Sequence, residues 1–114
     1  MKKLQNNFTT PEQSKRLLEL GVPAWTADCY YYDMFDKHIK VSYIDANKDY
    51  KWNLESEYAP KPCWSIGRLI EIYHICVSRG FSFNVCFPNL MNEIMYKLAE
   101  ANSNGWLDLK KLEE

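Results

Sequence analysis

Between Ser65 and Gly80 the chain reads SIGRLIEIYHICVSRG, a helical period that leaves only a narrow polar strip. Ile66, Leu69, Ile70, Tyr73 and Val77 fall on one stripe, and Ile72, Ile75 and Cys76 widen it. Gly67, Arg68, Glu71, His74 and Ser78 make up the polar remainder. A helix this apolar must be covered on more than one side, so the rest of the chain has to provide a sheet, further helices, or both. Ser65 suits the N-cap, Trp64 before it is placed to staple onto Leu69, and Gly80 supplies the stop.

The remaining segments divide into helical and strand periods. Thr10-Pro11-Glu12-Gln13 is a capping box with proline at the first helical position. Gly21 and then Pro23 end the segment, which predicts a helix over 11–20 with Leu17, Leu18 and Leu20 inward. From Cys29 the aromatic run CYYYDMF turns to a β pattern, and HIKVSYID alternates Ile39, Val41 and Tyr43 against Lys40 and Ser42. YKWNL repeats the alternation with Tyr50, Trp52 and Leu54 inward. Ala46-Asn47-Lys48-Asp49 between them fits a hairpin loop. The hairpin over 38–54 then sets Tyr43 opposite Trp52 and Val41 opposite Leu54. Glu55 to Pro62 is a polar connection that its prolines keep extended.

Phe81, Phe83, Val85 and Phe87 alternate with polar residues and predict a strand over 81–87. A third helix over 89–101 carries Leu90, Met91, Ile94 and Leu98, and Asn104-Gly105 breaks it. Trp106, Leu109 and Leu112 are spaced three apart, as in a short last helix, and residues 1–8 are a loose lead-in. The expected fold is α+β, a small antiparallel sheet with helices 11–20, 66–78 and 89–101 packed on it.

At 114 residues the chain is long enough for one domain, 1–114, that buries over ~60% of its unfolded surface without staples. A net charge of −1, from 14 basic and 15 acidic residues spread along the chain, removes any global electrostatic argument for nucleic acid or anionic membrane. No apolar run follows Lys2 and Lys3, and Glu71 and His74 interrupt the longest apolar tract, so neither a signal peptide nor a membrane span is expected and the location is read as cytoplasmic. Cys29, Cys63, Cys76 and Cys86 form no CxxC and are expected to pack as reduced thiols.

FTTPEQSKRLLELGVPAWTADCYY, PCWSIGRLIEI and the terminal LMNEIMYKLAEANSNGWLD together resemble small proteins carried by bacterial prophages and other mobile elements. DMFDKHIKVSYIDANKDYKWNLESEY departs from that likeness. The resemblance implies an intracellular accessory protein, and it carries over no catalytic or binding residues.

Each candidate site has a plainer alternative. Cys63, ahead of a helix N-terminus, has the setting of an activated thiol, but His74 lies ~13 Å along the helix, too far to serve as its base. His38 could replace it only through a tertiary contact. His74 and Cys76 are two apart on a helix and project to nearly opposite sides, so they cannot chelate one ion; no metal or cofactor is expected. Arg68 and Glu71 read as a surface pair. Lys37, Lys40, Lys48 and Lys51, interleaved with Tyr43, Tyr50 and Trp52, have the composition of a single-stranded nucleic-acid platform. Strand alternation, however, sends the rings inward and the lysines outward. Tyr30, Tyr31 and Tyr32 cannot all face one side of a strand, and Trp25 and Trp106 lie beside loops. These five aromatics are candidate anchors for a protein partner or a homodimer, the alternative being that they cover the edges of a small core. The leading expectation is a non-enzymatic accessory protein acting through protein contacts, followed by a nucleic-acid-associated regulator and then a small cysteine-dependent enzyme.

Overall fold

The computed structural model describes residues 8–33, 39–45, 47–56, 59–77 and 90–113. The fold is α+β, and the chain forms two compact units, Phe8–Ser65 and a second beginning at Ile66.

The first unit opens with α1, Pro11–Leu20. Its determinants are local. The Gln13 N–H donates to Thr10 Oγ1 at 3.1 Å while the Thr10 N–H donates to Gln13 Oε1 at 2.9 Å, which completes the capping box. Gly21 ends the helix at φ 100°, a left-handed conformation that glycine adopts without a Cβ penalty. A short 3-10 turn, Ala24–Thr26, leads into the strands β1 (Cys29–Asp33), β2 (Ile39–Tyr43) and β3 (Lys61–Cys63).

The sheet is antiparallel with the order β2-β1-β3. β1 runs against β2 from Cys29↔Tyr43 to Asp33↔Ile39, and against β3 from Cys29↔Cys63 to Tyr31↔Lys61. Among the described strands β3 lies at the sheet edge, where a proline such as Pro62 is tolerated. Cys29, Tyr31 and Cys63 form a buried cluster over which Phe8 packs.

This corrects the expected hairpin over 38–54: β2 is a strand, but its partner is β1, and no strand lies over 50–54. The turn itself forms, with the Tyr50 N–H on the Asn47 carbonyl at 3.1 Å and the Asp49 N–H on Asn47 Oδ1 at 2.8 Å. Beyond it the carbonyls of Asn53, Leu54 and Ser56 accept from the Lys61 ammonium, not from a neighbouring strand. Tyr43, Tyr50 and Leu54, expected inside, are accordingly exposed, and Trp52 is half-buried. The strand expected over 81–87 lies outside the described residues.

The second unit holds α2 (Ile66–Cys76), α3 (Leu90–Ser103) and a 3-10 helix, Leu109–Glu113. α2 packs on both α3 and the 3-10 helix, burying Leu69, Ile72, Tyr73 and Cys76, while α3 contributes Met91, Ile94 and Leu98. Ile75, expected on the widened apolar stripe, is exposed. Gly105, at φ 73°, turns the chain after α3, and the Asp108 N–H then donates to the Cys76 carbonyl at 2.9 Å. Among the described residues no helix is long and apolar enough to cross a membrane.

Candidate functional site

The two ends of the first unit are tied by a polar knot centred on Trp64, whose side chain is fully buried. Its indole N–H donates to Thr26 Oγ1 at 3.0 Å, and that hydroxyl donates onward to the Pro23 carbonyl at 2.7 Å. The Trp64 backbone N–H donates to Thr9 Oγ1 at 3.0 Å, and the Thr9 hydroxyl lies 2.7 Å from that of Ser14. Asp28 accepts from the Ser65 N–H at 2.9 Å and from its hydroxyl at 2.6 Å. The segments FTTPEQS, AWTAD and PCWS are therefore in contact, although Thr9 and Trp64 are 55 residues apart in sequence. A Trp whose donor is satisfied in the interior is a structural group.

Beside this knot, α1, β1, β3 and Leu54 enclose a half-open groove of about 420 Å³. Leu18, Tyr31, Leu54 and Pro62 give it apolar walls, and Glu12 and Lys15 stand on its α1 rim. Lys61 borders it too, but its ammonium is occupied by the Leu54 carbonyl at 3.0 Å, the Asn53 carbonyl at 3.4 Å and the Ser56 carbonyl. No sequence signal pointed to this groove, since its walls come from four separated segments.

The residues singled out in the sequence fall in different surroundings. Tyr31 is buried in the cluster with Cys29 and Cys63, whereas Tyr30 and Tyr32 are half-buried and meet edge to face at 5.5 Å. Trp25 is half-buried beneath the Lys48 ammonium, which lies 5.0 Å from its ring centre. Trp106 is half-buried in the second unit, its backbone N–H on the Ala101 carbonyl at 2.8 Å. Lys51 is exposed, while Lys37 and the side chain of Lys40 lie outside the described residues.

Cys63 is fully buried and faces Cys29 across the sheet. The neighbouring Cys63 thiol, then burial and the nearby Asp28 carboxylate push the Cys29 thiol far above its ordinary range. Cys76, in the second unit, is pushed up to about 11, first by burial and then by Asp108, with Lys111 opposing. His74 is exposed, with its ring edge-on to Tyr73, and Arg68 pairs with Glu71. Among the described residues no group of three or more His, Cys, Asp or Glu side chains could hold a metal ion.

Tyr43 was expected in the core. Its ring is 72% exposed at the end of β2 and meets Phe8 edge-on at 5.4 Å. Cross-strand pairing puts Tyr43 opposite Cys29, but Phe8 takes the place over the cysteine cluster, so the tyrosine ring is left outside it. Tyr50 and Trp52 make a second edge-on pair at 4.7 Å. No protein-family model, curated protein or solved structure matches the chain.

Proposed function

We propose that this chain acts in the cytoplasm by binding a protein partner through the β2 side of its sheet, as a small accessory factor of the kind mobile elements carry. The observation that supports this most is Tyr43, a large aromatic 72% exposed yet braced by Phe8. Such a ring loses little freedom on binding and brings a large contact area, the properties of an interface anchor. Among the described strands β2 lies at the sheet edge, and addition of a partner strand along an edge is the binding mode this reading takes. Wild-type and Tyr43→Asp protein, compared by light scattering at high concentration and by pull-down from the native host, test the proposal. Self-association or a retained protein, weakened about tenfold or more by the substitution, is expected. A strict monomer with no Tyr43-dependent partner would overturn it.

Binding of single-stranded nucleic acid is favoured by a different observation. The inward-outward separation of rings and lysines depended on a strand over 50–54, and without it Lys48 lies on Trp25 while Lys51 and Tyr50 are both exposed. Stacking rings beside cations suit an unpaired strand. Tryptophan fluorescence titrated with a single-stranded oligonucleotide should then show quenching that weakens with salt and is lost in Lys48→Glu/Lys51→Glu. Absence of quenching would remove this alternative.

A further inference from the structure

Cys29 and Cys63 are direct partners in the antiparallel register of β1 and β3. Both are free thiols with no exposed surface, and the Cys29 thiol donates to Asp28 Oδ1 at 3.5 Å. Opposed residues in such a ladder have Cα atoms ~4.5–5.5 Å apart, within the ~4.4–6.8 Å that a disulfide spans. The bond therefore needs rotation of side chains and little movement of backbone.

We propose that Cys29 and Cys63 are a reversible oxidation site that closes to a cross-strand disulfide under hydrogen peroxide. One thiolate attacks peroxide and breaks the O–O bond, giving a sulfenic acid and, with one proton, a first water. The second sulfur then displaces the sulfenic oxygen, which leaves with a proton as a second water. Two thiols give up two electrons and two protons, one S–S bond forms, and peroxide is reduced to two waters.

Burial makes the site conditional on opening of the sheet edge. Among the described strands β3 pairs with β1 over three residue pairs, against five for β2, so its detachment breaks the fewest ladder bonds. The bonds of Trp64 and Ser65 to Thr9, Thr26 and Asp28 open with it. Peroxide reaches the sulfurs when β3 lifts, and reclosure brings them together. The product staples β3 to β1 and with it the groove wall formed by Tyr31 and Pro62. Cys76 has a different setting, packed in the second unit with Asp108 nearby.

The test is peptide mass spectrometry on the full chain after peroxide treatment, alkylation of remaining thiols and non-reducing digestion. A linked peptide pair containing Cys29 and Cys63, two hydrogens lighter and released by dithiothreitol, is expected in the wild type and in Cys76→Ser/Cys86→Ser. The link should raise the folding equilibrium constant on the order of a hundredfold, seen as a higher thermal midpoint that reduction reverses. Recovery of Cys29 and Cys63 as two alkylated thiols, as sulfinic acids, or linked to other cysteines would overturn the proposal. The wild-type readout stands even if Cys63→Ser fails to fold.

Discussion

Trp64 shows what a single residue contributes beyond its volume. Its indole would cost free energy in the interior without an acceptor, and Thr26 supplies one at 3.0 Å. Thr26→Val keeps the shape, removes the acceptor and leaves the donor buried. Urea unfolding is expected to show a loss of about 1–3 kcal/mol with the denaturant slope unchanged. The sequence marks Trp64 as a staple beside a helix start, but its hydrogen-bond partners come from distant segments. Cys63 likewise reads from its neighbours as a thiol at a helix entry, whereas burial and Cys29 define its surroundings.

The elements differ in how much of their structure is local. α1 was legible residue by residue because its cap, proline and terminating glycine all act within one helical turn. Gly21→Ala should cost about 1 kcal/mol in thermal or chemical unfolding, since alanine is strained at φ 100°. The 38–54 hairpin failed for the opposite reason: alternation tells that a segment can be a strand, not which strand it will join. CYYYD offered β2 a full run of partners, and Lys61 drew the carbonyls after Trp52 to itself. Lys61→Met keeps the apolar stem and removes those hydrogen bonds. Proteolysis or hydrogen exchange should find 53–56 loosened, at a stability cost of about 1 kcal/mol because the ammonium site is largely exposed.

Across the whole molecule, three buried acids favour their neutral forms: Cys29, Cys76 and Tyr73, the last raised by burial and then by Glu100. A group whose pKa is higher folded than unfolded stabilises fully below the unfolded value and loses that contribution as pH rises. Stability should therefore fall from pH 9 upward, with Cys76 alone accounting for about 2 kcal/mol by pH 11. Cys76→Ala should make the fall shallower in a pH series of denaturation curves; an unchanged slope would contradict the burial assigned to this thiol. The near-zero net charge sets no partner at this scale, so recognition rests on local groups such as Tyr43. By itself the sequence determined the α+β class and the three helices, because caps, breaks and periodicity act between residues a few positions apart. Only the tertiary structure decided that β2 joins β1, that Tyr43 faces out, that Trp64 binds Thr9 and Thr26, and that Cys29 meets Cys63. Each of those is a competition among distant partners for the same surface and the same hydrogen bonds, and its outcome depends on which alternatives the rest of the chain leaves open.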